Sequence, residues 1–575
     1  MGKVVWLVSL AGVLTLGLAL PGLALRTPPL PGSGFSRGIA IAEPDQREPP
    51  AILPWGEETW LAWSDLAGTT LALFLASVDA EGGVREPEAV SLSLIYAGQP
   101  QFLKFAGQGW LAFLARLAPE APRRLYLLPL GPGGEPTGHP LPLTPEDPPG
   151  VRSYQALAAG EAIWLAWLDA AGEVWLGRWS PEGGEPQTWQ LGPGQGPPAL
   201  AAQGDTVHLV WPAGGNPSLF PLTYVQATER GISPPVELAS FPLPTGAIPT
   251  PPAIALEEEW GYCAAGFEYR TGNLAGTAEV WVCAFLLNHP SQASTYQLKL
   301  PSWFPDDYPL EAEGLLLAPV PPGHTIRPAD LYNPRGIPGG RGVALLSCGA
   351  KLVRRGKLQV QPAVVAFQEG RPLGWAPVAR SSNFSYFTVL RRSDRGWHVA
   401  WLDMLGYGEY RLYYASTAPG ERPRLNQLGW DDVAYFAGTV ASGLVGGLAF
   451  LPLLLVTSVP GLGLLFVHYL RGGEESLRHW WPKALLALAI LPFLIVKVVL
   501  TGTFGGVPFS PWLSLEAAQA AARVLPFIPS LLGLAALFIY FRRAGEPTLF
   551  PAWATFVLAD MAFTVLILGP SLAAS

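Results

Sequence analysis

The feature that most constrains the fold is a cluster of strongly apolar segments in the last quarter of the 575-residue chain. A helix needs about 20 mainly apolar residues to cross the hydrocarbon core of a bilayer. The segments that approach this length are Val433–Val456, Ala484–Leu500, Val524–Phe541 and Phe550–Leu568. We therefore predict an all-α transmembrane domain of four helices over residues 430–575. The apolar run that follows Pro460 is interpreted as a kinked extension of the first helix.

Residues 1–24 have the pattern of a secretory signal peptide. Lys3 supplies a minimal positive region, Val4–Leu20 is the apolar core, and the small residues Gly22 and Ala24 suit cleavage. An uncleaved N-terminal anchor is the alternative, because the apolar run is just long enough to span a bilayer. Either reading exports the body of the protein. Residues 25–49 are interpreted as a linker with a possible ring-closing strand at 38–43.

The basic residues of the tail are distributed unevenly between the connections of the predicted helices. The second connection, residues 505–514, has none, whereas the first and third hold Arg471, Arg478, Lys483, Arg542 and Arg543. Cytoplasmic loops are enriched in Lys and Arg, so the first and third connections are assigned to the cytoplasm. We predict a multi-pass protein of the plasma membrane, with the lipid bilayer as a partner and the body on the extracytoplasmic side.

Two ionisable residues, Lys497 and Asp560, fall inside the predicted helices. They lie about 13 and about 10 residues from the cytoplasmic ends, so at about 1.5 Å per residue their depths are similar. An ionised group in hydrocarbon is costly and usually finds a partner or a water-filled cavity. We predict an intramembrane ion pair that serves as a packing clamp. A proton or ion relay, and the absence of any contact, are the alternatives.

The body repeats one unit of short apolar strands. The three strong copies are Thr59–Asp65, Ile163–Asp169 and Trp397–Asp403, and weaker copies occur at Trp110–Phe113 and Val207–Trp211. A turn containing Gly and a second strand follow each strong copy, which is the pattern of a β-hairpin. The terminal aromatic residues of consecutive units recur about every 44 to 54 residues, a period that suits the four-stranded blades of a β-propeller.

Two diverged units are expected on the hairpin Trp260–Phe285 and around Val343–Phe367. The count then becomes about seven blades in an all-β propeller over residues 50–429. Residues 301–336 are interpreted as a long insertion, which could conceal an eighth blade.

A second pattern follows the second strand of the unit. It reads Ser77-Val-Asp79 with Gly82 in one copy, Ser180-Pro-Glu182 in another and Ser416-Thr-Ala418 in the third. Here the chain resembles the sialidase-like propeller superfamily, whose Asp-box turn has the pattern Ser-x-Asp-x-Gly-x-Thr-Trp. The resemblance is degenerate, because no copy is complete, and it covers most of the body. It implies the fold, and the Asp-box itself is a structural turn in that family.

Sialidase-like catalysis, which the resemblance also implies, depends on an arginine cluster, a Tyr/Glu pair and an Asp. The arginines that could supply such a cluster are Arg37, Arg152, Arg270 and Arg391, and Glu409 and Tyr410 form an adjacent pair. None of them matches a motif of the family, and the other interpretation is that these arginines are ordinary loop and surface residues.

The cysteines suggest one disulfide. Cys263 and Cys283 lie symmetrically about Asn273, so a hairpin turning there would place them opposite one another. An exported compartment permits the bond. Cys348 is left over as a buried apolar residue. His208 and His398 occupy equivalent positions in their units and are expected to point the same way, in a packing or surface role.

Metal-binding signals are weak. Asp306, Asp307, Glu311 and Glu313 gather in the insertion and could hold Ca²⁺ through their oxygens, although they lack an EF-hand spacing and a solvated loop is the main interpretation. The chain has no P-loop, nucleophile elbow, zinc-protease motif or Rossmann fingerprint. We predict no cofactor.

The net charge of −8 argues against nucleic acid as a partner, because phosphates would be repelled. We predict a membrane-tethered binding or scaffolding module for a protein or glycan partner, and favour this over an enzyme. A subunit of a membrane complex is one form that such a module could take. The alternatives are a sialidase-like glycoside hydrolase and a transport or signalling subunit that uses the Lys497/Asp560 pair.

Overall fold

A computed structural model describes residues 29–574, apart from 93, 145–148, 181–185, 322–327, 339–341, 355–356, 428, most of 431–450, 474 and, with the exception of 520, 502–522. The predicted signal sequence therefore lies outside the described residues. The chain divides into two compact units: Pro28–Gln427 form one, and Leu428–Ser575 belong to the other.

The unit Pro28–Gln427 is a β-propeller. After the short strands β1 (Leu30–Pro31) and β2 (Ile39–Ala42) comes a sheet of eight strands, which are β3 (Ala51–Trp55), β4 (Glu58–Ala67), β5 (Thr70–Val78), β6 (Glu88–Ala89), β7 (Tyr96–Phe105), β8 (Gln108–Arg116), β9 (Arg124–Leu130) and β10 (Leu141–Pro142). Two antiparallel halves, β3–β6 and β7–β10, make up this sheet. One parallel bridge, between Leu71 and Tyr96, joins them.

The next two sheets are antiparallel and consist of consecutive strands. The first has β11 (Val151–Ala159), β12 (Ala162–Asp169), β13 (Glu173–Trp179) and β14 (Gln187–Pro193), and the second has β15 (Ala199–Gln203), β16 (Thr206–Pro212), β17 (Leu219–Thr228), β18 (Gly231–Ile232) and β19 (Val236–Pro242).

Two larger sheets come from the region where the sequence repeats are weakest. The five-stranded sheet has β20 (Ala247–Pro249), β21 (Ala253–Leu256), β22 (Trp260–Tyr269), β23 (Ala278–Leu286) and β24 (His289–Gln297), and the six-stranded sheet has β25 (Leu310–Ala312), β26 (Leu315–Pro319), β27 (Leu331–Ile337), β28 (Ala344–Arg354), β29 (Lys357–Gln368) and β30 (Arg371–Pro377). The predicted insertion 301–336 is thus partly ordered sheet. The hairpin β25–β26 extends the outer edge of this sheet, and β27 forms its opposite edge.

The last sheet joins the two ends of the propeller. After β31 (Ala379–Arg380), which pairs with β1, come β32 (Phe384–Arg392), β33 (Trp397–Gly406) and β34 (Glu409–Ser416). The fourth strand of this sheet is β2, from the start of the unit, with Ile39 opposite Tyr414. A short helix, Arg422–Leu425, follows.

The prediction of seven separate blades is not confirmed. Five sheets of four to six strands are separate, and the remaining eight strands share one sheet because β5 and β7 are bridged.

The tryptophan-bearing strands are buried on both faces, which explains their nearly continuous apolar sequence. All eight residues of β12 are buried. Neighbouring sheets share hydrophobic clusters; one of them packs Trp63 of β4 with Tyr414 of β34 and so seals the first sheet against the last. Alternation of apolar and polar residues would suit a strand with one solvent-exposed face. An inner strand of a blade such as β12 has no exposed face.

The described tail contains four helices: Leu451–Leu470, Trp480–Thr501, Ile528–Arg543, which a short 3-10 turn at Leu525–Phe527 precedes, and Leu549–Ala574. Three of them are long and apolar enough to cross a membrane, with spans at Trp480–Lys497, Leu525–Arg543 and Leu549–Leu568. Four crossings are therefore not confirmed. Nearly half of the predicted first crossing, Val433–Val456, falls outside the described residues, and the helix Leu451–Leu470 continues beyond its end through Pro460.

Candidate ligand-binding cavity

A cavity of about 360 Å³ lies where the first strands of the propeller sheets converge. Its wall contains residues from seven strands or the segments just before them, namely β3, β7, β11, β15, β21, β27 and β32. Prolines are frequent in this wall: Pro50, Pro100, Pro198, Pro252 and Pro334. An edge strand tolerates proline, because its unpaired side needs no backbone donor. The proline positions thus mark the strand edges that face the cavity.

A constant spacing links the cavity wall to the sequence repeat. Pro50, Pro100 and Pro198 each precede the terminal aromatic of their unit, Trp63, Phe113 and Trp211, by thirteen residues. Tyr154 and Thr388 occupy the same position before Trp167 and Trp401, and both line the cavity. This spacing is present in the sequence and is enough to locate the wall without a structure.

Two arginines, Arg335 and Arg391, line the cavity from β27 and β32. Burial lowers the pKa of each guanidinium to about 10, and the positive charge of Arg391 adds to the effect on Arg335. The guanidinium carbon of Arg335 lies 5.4 Å from the centre of the Phe387 ring. Nη1 of Arg391 donates a hydrogen bond to the carbonyl oxygen of Leu390 at 3.0 Å.

The wall is otherwise neutral: none of the described residues that line the cavity is Asp or Glu. Several polar side chains of the wall are used to join neighbouring strands. Oε1 of Gln101 accepts the backbone N–H of Ala156 at 2.9 Å, and the hydroxyl of Tyr154 donates to the carbonyl oxygen of Gln99 at 2.6 Å. The buried hydroxyl of Ser153, in contrast, has no hydrogen-bond partner. The arginines and Ser153 are therefore the groups best placed to contact a ligand.

The acidic residue nearest in sequence to the cavity wall is Glu48, directly before Pro49, and its carboxylate is already hydrogen-bonded. Its carboxylate accepts hydrogen bonds from the backbone N–H of Gln99 at 2.9 Å and from the Tyr96 hydroxyl at 3.4 Å. Burial, and then the Glu48 charge, raise the pKa of Tyr96. The guanidinium of Arg47, the residue before Glu48, lies 4.2 Å from the centre of the Tyr386 ring, a cation–π distance.

The arginines predicted from the sequence do not form a cluster. Only Arg391 lines the cavity. Arg37 is buried elsewhere, Arg270 is exposed, and Arg152 donates to the carbonyl oxygen of Ala170 at 2.5 Å. Glu409 is an exposed residue at the turn between β33 and β34.

The two turns that the structure describes among those compared with the Asp-box differ in their side chains. The Asp79 carboxylate accepts the N–H groups of Glu81 and Gly83 at 2.9 and 2.6 Å. The copy at 180–183 lies largely outside the described residues, and the copy at Ser416 has no acidic residue. The motif is not confirmed.

The predicted disulfide is absent from the structure, although Cys263 and Cys283 are directly paired on β22 and β23 as the spacing predicts. All three cysteines are free and buried. The Sγ atom of Cys283 instead lies 3.8 Å from the carbonyl oxygen of Leu238, as a weak hydrogen bond. This contact turns the thiol toward a different strand, β19.

The four acids considered for calcium do not form a site. Asp306, Asp307 and Glu311 are exposed, whereas Glu313 is ion-paired with Arg392. In the described part of the chain no group of three or more His, Cys, Asp or Glu side chains is placed to hold a metal ion.

The two equivalent histidines have the same geometry. Nδ1 of His208 lies 2.7 Å from the hydroxyl of Tyr224, and Nδ1 of His398 lies 2.7 Å from that of Tyr414. In both units the tyrosine follows sixteen residues later, on the next strand of the sheet. Both histidines are buried, so they serve packing and not the surface.

No protein-family model and no curated protein matches the sequence. Solved structures with a similar fold include a prolyl endopeptidase (13% identity, 62% of this chain and 47% of that chain, TM-score 0.33), the polysaccharide lyase Uly1 (8%, 68% and 97%, 0.38) and Trypanosoma rangeli sialidase (10%, 71% and 59%, 0.36). The chain thus spans less than half of the endopeptidase. At TM-scores below 0.5 these likenesses carry no information on the chemistry of this protein.

Proposed function

We propose that this protein is a membrane-anchored β-propeller that binds a ligand, or the terminal group of a protein or glycan partner, in its central cavity. The observation that carries the proposal is the pair of arginines in a cavity whose described wall is otherwise neutral. The volume of about 360 Å³ falls in the range of small-molecule sites. Anchoring in the membrane would raise the local concentration of a second contact.

Glycoside hydrolysis, the enzymatic alternative, finds little support in this cavity. Most glycosidases use two carboxyl groups that flank the scissile bond. The described wall has no carboxyl group, and Glu409 and Tyr410 lie at a hairpin turn between β33 and β34. Binding without hydrolysis is therefore the better account of the cavity.

The blade count belongs to the same proposal. We infer that the halves β3–β6 and β7–β10 act as two blades, because a hydrophobic cluster that includes Trp60 and Phe113 lies between them. One bridged residue pair adds little to that packing. The propeller would then have seven blades around the cavity.

Ligand binding can be tested by native mass spectrometry of the full chain extracted in a mild detergent. The variant Ser153→Phe fills the cavity from a wall position, and the matched control Ser240→Phe changes an exposed residue of β19. We expect a bound mass on the wild-type and Ser240→Phe proteins that is absent from Ser153→Phe. A mass that all three proteins retain, or that none carries, would contradict the proposal.

The extracytoplasmic location of the propeller is supported by the basic residues of the tail, whose first and third connections hold five Lys and Arg residues. A membrane-impermeant maleimide can test it in intact cells. Tyr407→Cys places a thiol on a fully exposed turn, and Arg471→Cys places one after the first tail helix. We expect Tyr407→Cys to react in intact cells and Arg471→Cys only after lysis. The reverse labelling pattern would show that the propeller lies on the cytoplasmic side.

A further inference from the structure

The two cavity arginines depart from the repeat of the propeller. Arg391 lies three residues after Thr388; the same position in the other units holds Leu53, Leu103, Leu157, Ala201, Ala255 and Ile337. Arg335 directly follows Pro334, and its equivalents are Ala51, Gln101, Gln155, Ala199, Ala253 and Val389. Every equivalent is neutral. The fold therefore does not require a charge at either position, and two adjacent strands supply one each.

The arrangement has an electrostatic cost. Two guanidinium groups line one cavity, each is desolvated, and the charge of Arg391 acts against that of Arg335. The described wall supplies no carboxylate to balance them. Both side chains are half-buried at the cavity, and a partly desolvated charge without an opposite charge beside it is costly, so the arrangement points to a ligand that carries the missing negative charge.

We propose that the cavity binds a doubly charged oxyanion, a phosphate group or the inorganic sulfate ion, between Arg335 and Arg391. This inference rests on the proposed function and names the chemistry of its ligand. Two positive charges match a dianion, and a guanidinium donates paired hydrogen bonds to the oxygens of such a group. The unpartnered hydroxyl of Ser153, in the same wall, is available as a further donor.

The size of the cavity extends the assignment to an ester. One water molecule occupies about 30 Å³ of liquid, so a cavity of about 360 Å³ is larger than an inorganic phosphate ion requires. The remaining wall, which is rich in proline and includes Phe102 and Phe387, suits an uncharged substituent. We therefore expect an organic phosphate monoester, which can keep both negative charges, to bind more tightly than inorganic phosphate.

The test is the thermal unfolding of the detergent-extracted full chain in inorganic phosphate, inorganic sulfate, glycerol phosphate and chloride at one ionic strength. A ligand of the native state raises the unfolding temperature as its concentration rises. We expect a saturable rise with phosphate, sulfate or both, a stronger one with glycerol phosphate if phosphate is preferred, and none with chloride. An equal rise in all four salts would overturn the inference.

The variants Arg335→Leu and Arg391→Leu identify the site. Each should weaken phosphate and sulfate binding about tenfold or more, because a charge-assisted contact is lost. Arg270→Leu is the matched control, since Arg270 is exposed and does not line the cavity, and should leave binding unchanged. Undiminished binding in the double leucine variant would refute the site.

Two further measurements separate a failure to fold from a failure to bind, and this inference from the proposed function. If a leucine variant does not fold, Arg335→Lys and Arg391→Lys carry the test, since lysine keeps the charge but cannot form the paired contact. A severalfold loss of affinity then supports the site, and unchanged affinity in both refutes it. A bound mass that the leucine variants retain would overturn this inference alone and leave the proposed function standing.

Discussion

The amine of Lys497 lies 2.6 and 2.8 Å from the two carboxylate oxygens of Asp560, within the apolar helices of the tail. Both side chains are almost fully buried. The amine also donates to the Ser530 hydroxyl at 3.1 Å, and the Thr564 hydroxyl donates to Asp560 at 3.3 Å. An ammonium group has three donors, and these three contacts use them all. The saturated pair favours a clamp that holds three helices together over a relay that must release its proton.

The clamp predicts a characteristic result for single and double replacement. Lys497→Met or Asp560→Leu alone leaves one buried charge without its partner, so each should destabilise the tail by roughly 3 kcal/mol or more. The double variant removes both charges and should recover most of the loss. Thermal unfolding in detergent measures the three variants. Additive losses in the double variant would contradict the clamp.

The equivalent histidines predict a loss of propeller stability in acid. Burial lowers the pKa of His208 to about 4 and that of His398 to about 3, below the ordinary value of about 6.5. The unfolded chain therefore binds more protons than the native one in this range. The stability that the neutral histidines contribute is fully present above pH 6.5 and is lost as the pH falls from 6.5 toward 3.

The loss can be measured through the unfolding temperature of the full chain, followed by tryptophan fluorescence between pH 7.5 and 4.5. The variant His208→Asn/His398→Asn should show a flatter dependence on pH than the wild type, even if its stability at pH 7.5 is lower. The effect of His208 alone is on the order of 3 kcal/mol when fully expressed. An identical pH dependence in both proteins would show that other groups cause the loss.

The hairpins were predictable from the sequence, whereas the arginine that β27 turns toward the cavity was not. A strand such as β12 carries an apolar run between turn residues, and this local pattern is enough to identify it. The direction of Arg335 depends on a bulge in β27, where Asn333 adopts a φ of 48°. A bulge inserts a residue and changes which side the following residues face. Alternation in the sequence therefore does not reveal that Arg335 faces the cavity.

Contacts between distant segments were equally hidden. The pairing of β2 with β34 joins residues 370 to 375 positions apart, and the sequence suggested it only as a possibility. In the sequence the hairpin β25–β26 has the pattern of an insertion, because its strands are short. The strand β30, with which β26 pairs, lies about 55 residues later. The thiol of Cys283 lies 3.8 Å from the carbonyl oxygen of Leu238 on another strand, a contact that hairpin symmetry does not reveal although it gave the pairing with Cys263.

The cysteines predict a simple labelling result. Burial raises the pKa of Cys283 and of Cys348 to about 12 and that of Cys263 above its usual range, so little reactive thiolate exists at neutral pH. Native protein should react slowly with a maleimide. After unfolding without a reductant, mass spectrometry should find all three thiols labelled. A single label under these conditions would establish the disulfide between Cys263 and Cys283 that the sequence suggested.

The closure of the propeller predicts a strong effect at one glycine. Gly38 lies just before β2, and a Cβ added there would come within 2.7 Å of the Trp401 ring in the last sheet. Gly38→Ala should therefore push β2 away from β34 or displace Trp401, at a cost of about 1 to 3 kcal/mol. The control Gly429→Ala adds a methyl group where none of the described atoms beyond the adjacent residues lies within 4 Å.

We expect Gly38→Ala to lower the urea midpoint of the tryptophan fluorescence transition and Gly429→Ala to leave it within error. A large residue makes the comparison sharper: Gly38→Val should lower the midpoint further, because the overlap with Trp401 grows while the backbone conformation stays accessible to any residue. Equal midpoints in the wild type and Gly38→Val would mean that β2 does not hold the ring closed. The overlap between the introduced side chain and Trp401 would then have no effect on the cooperative unfolding of the propeller.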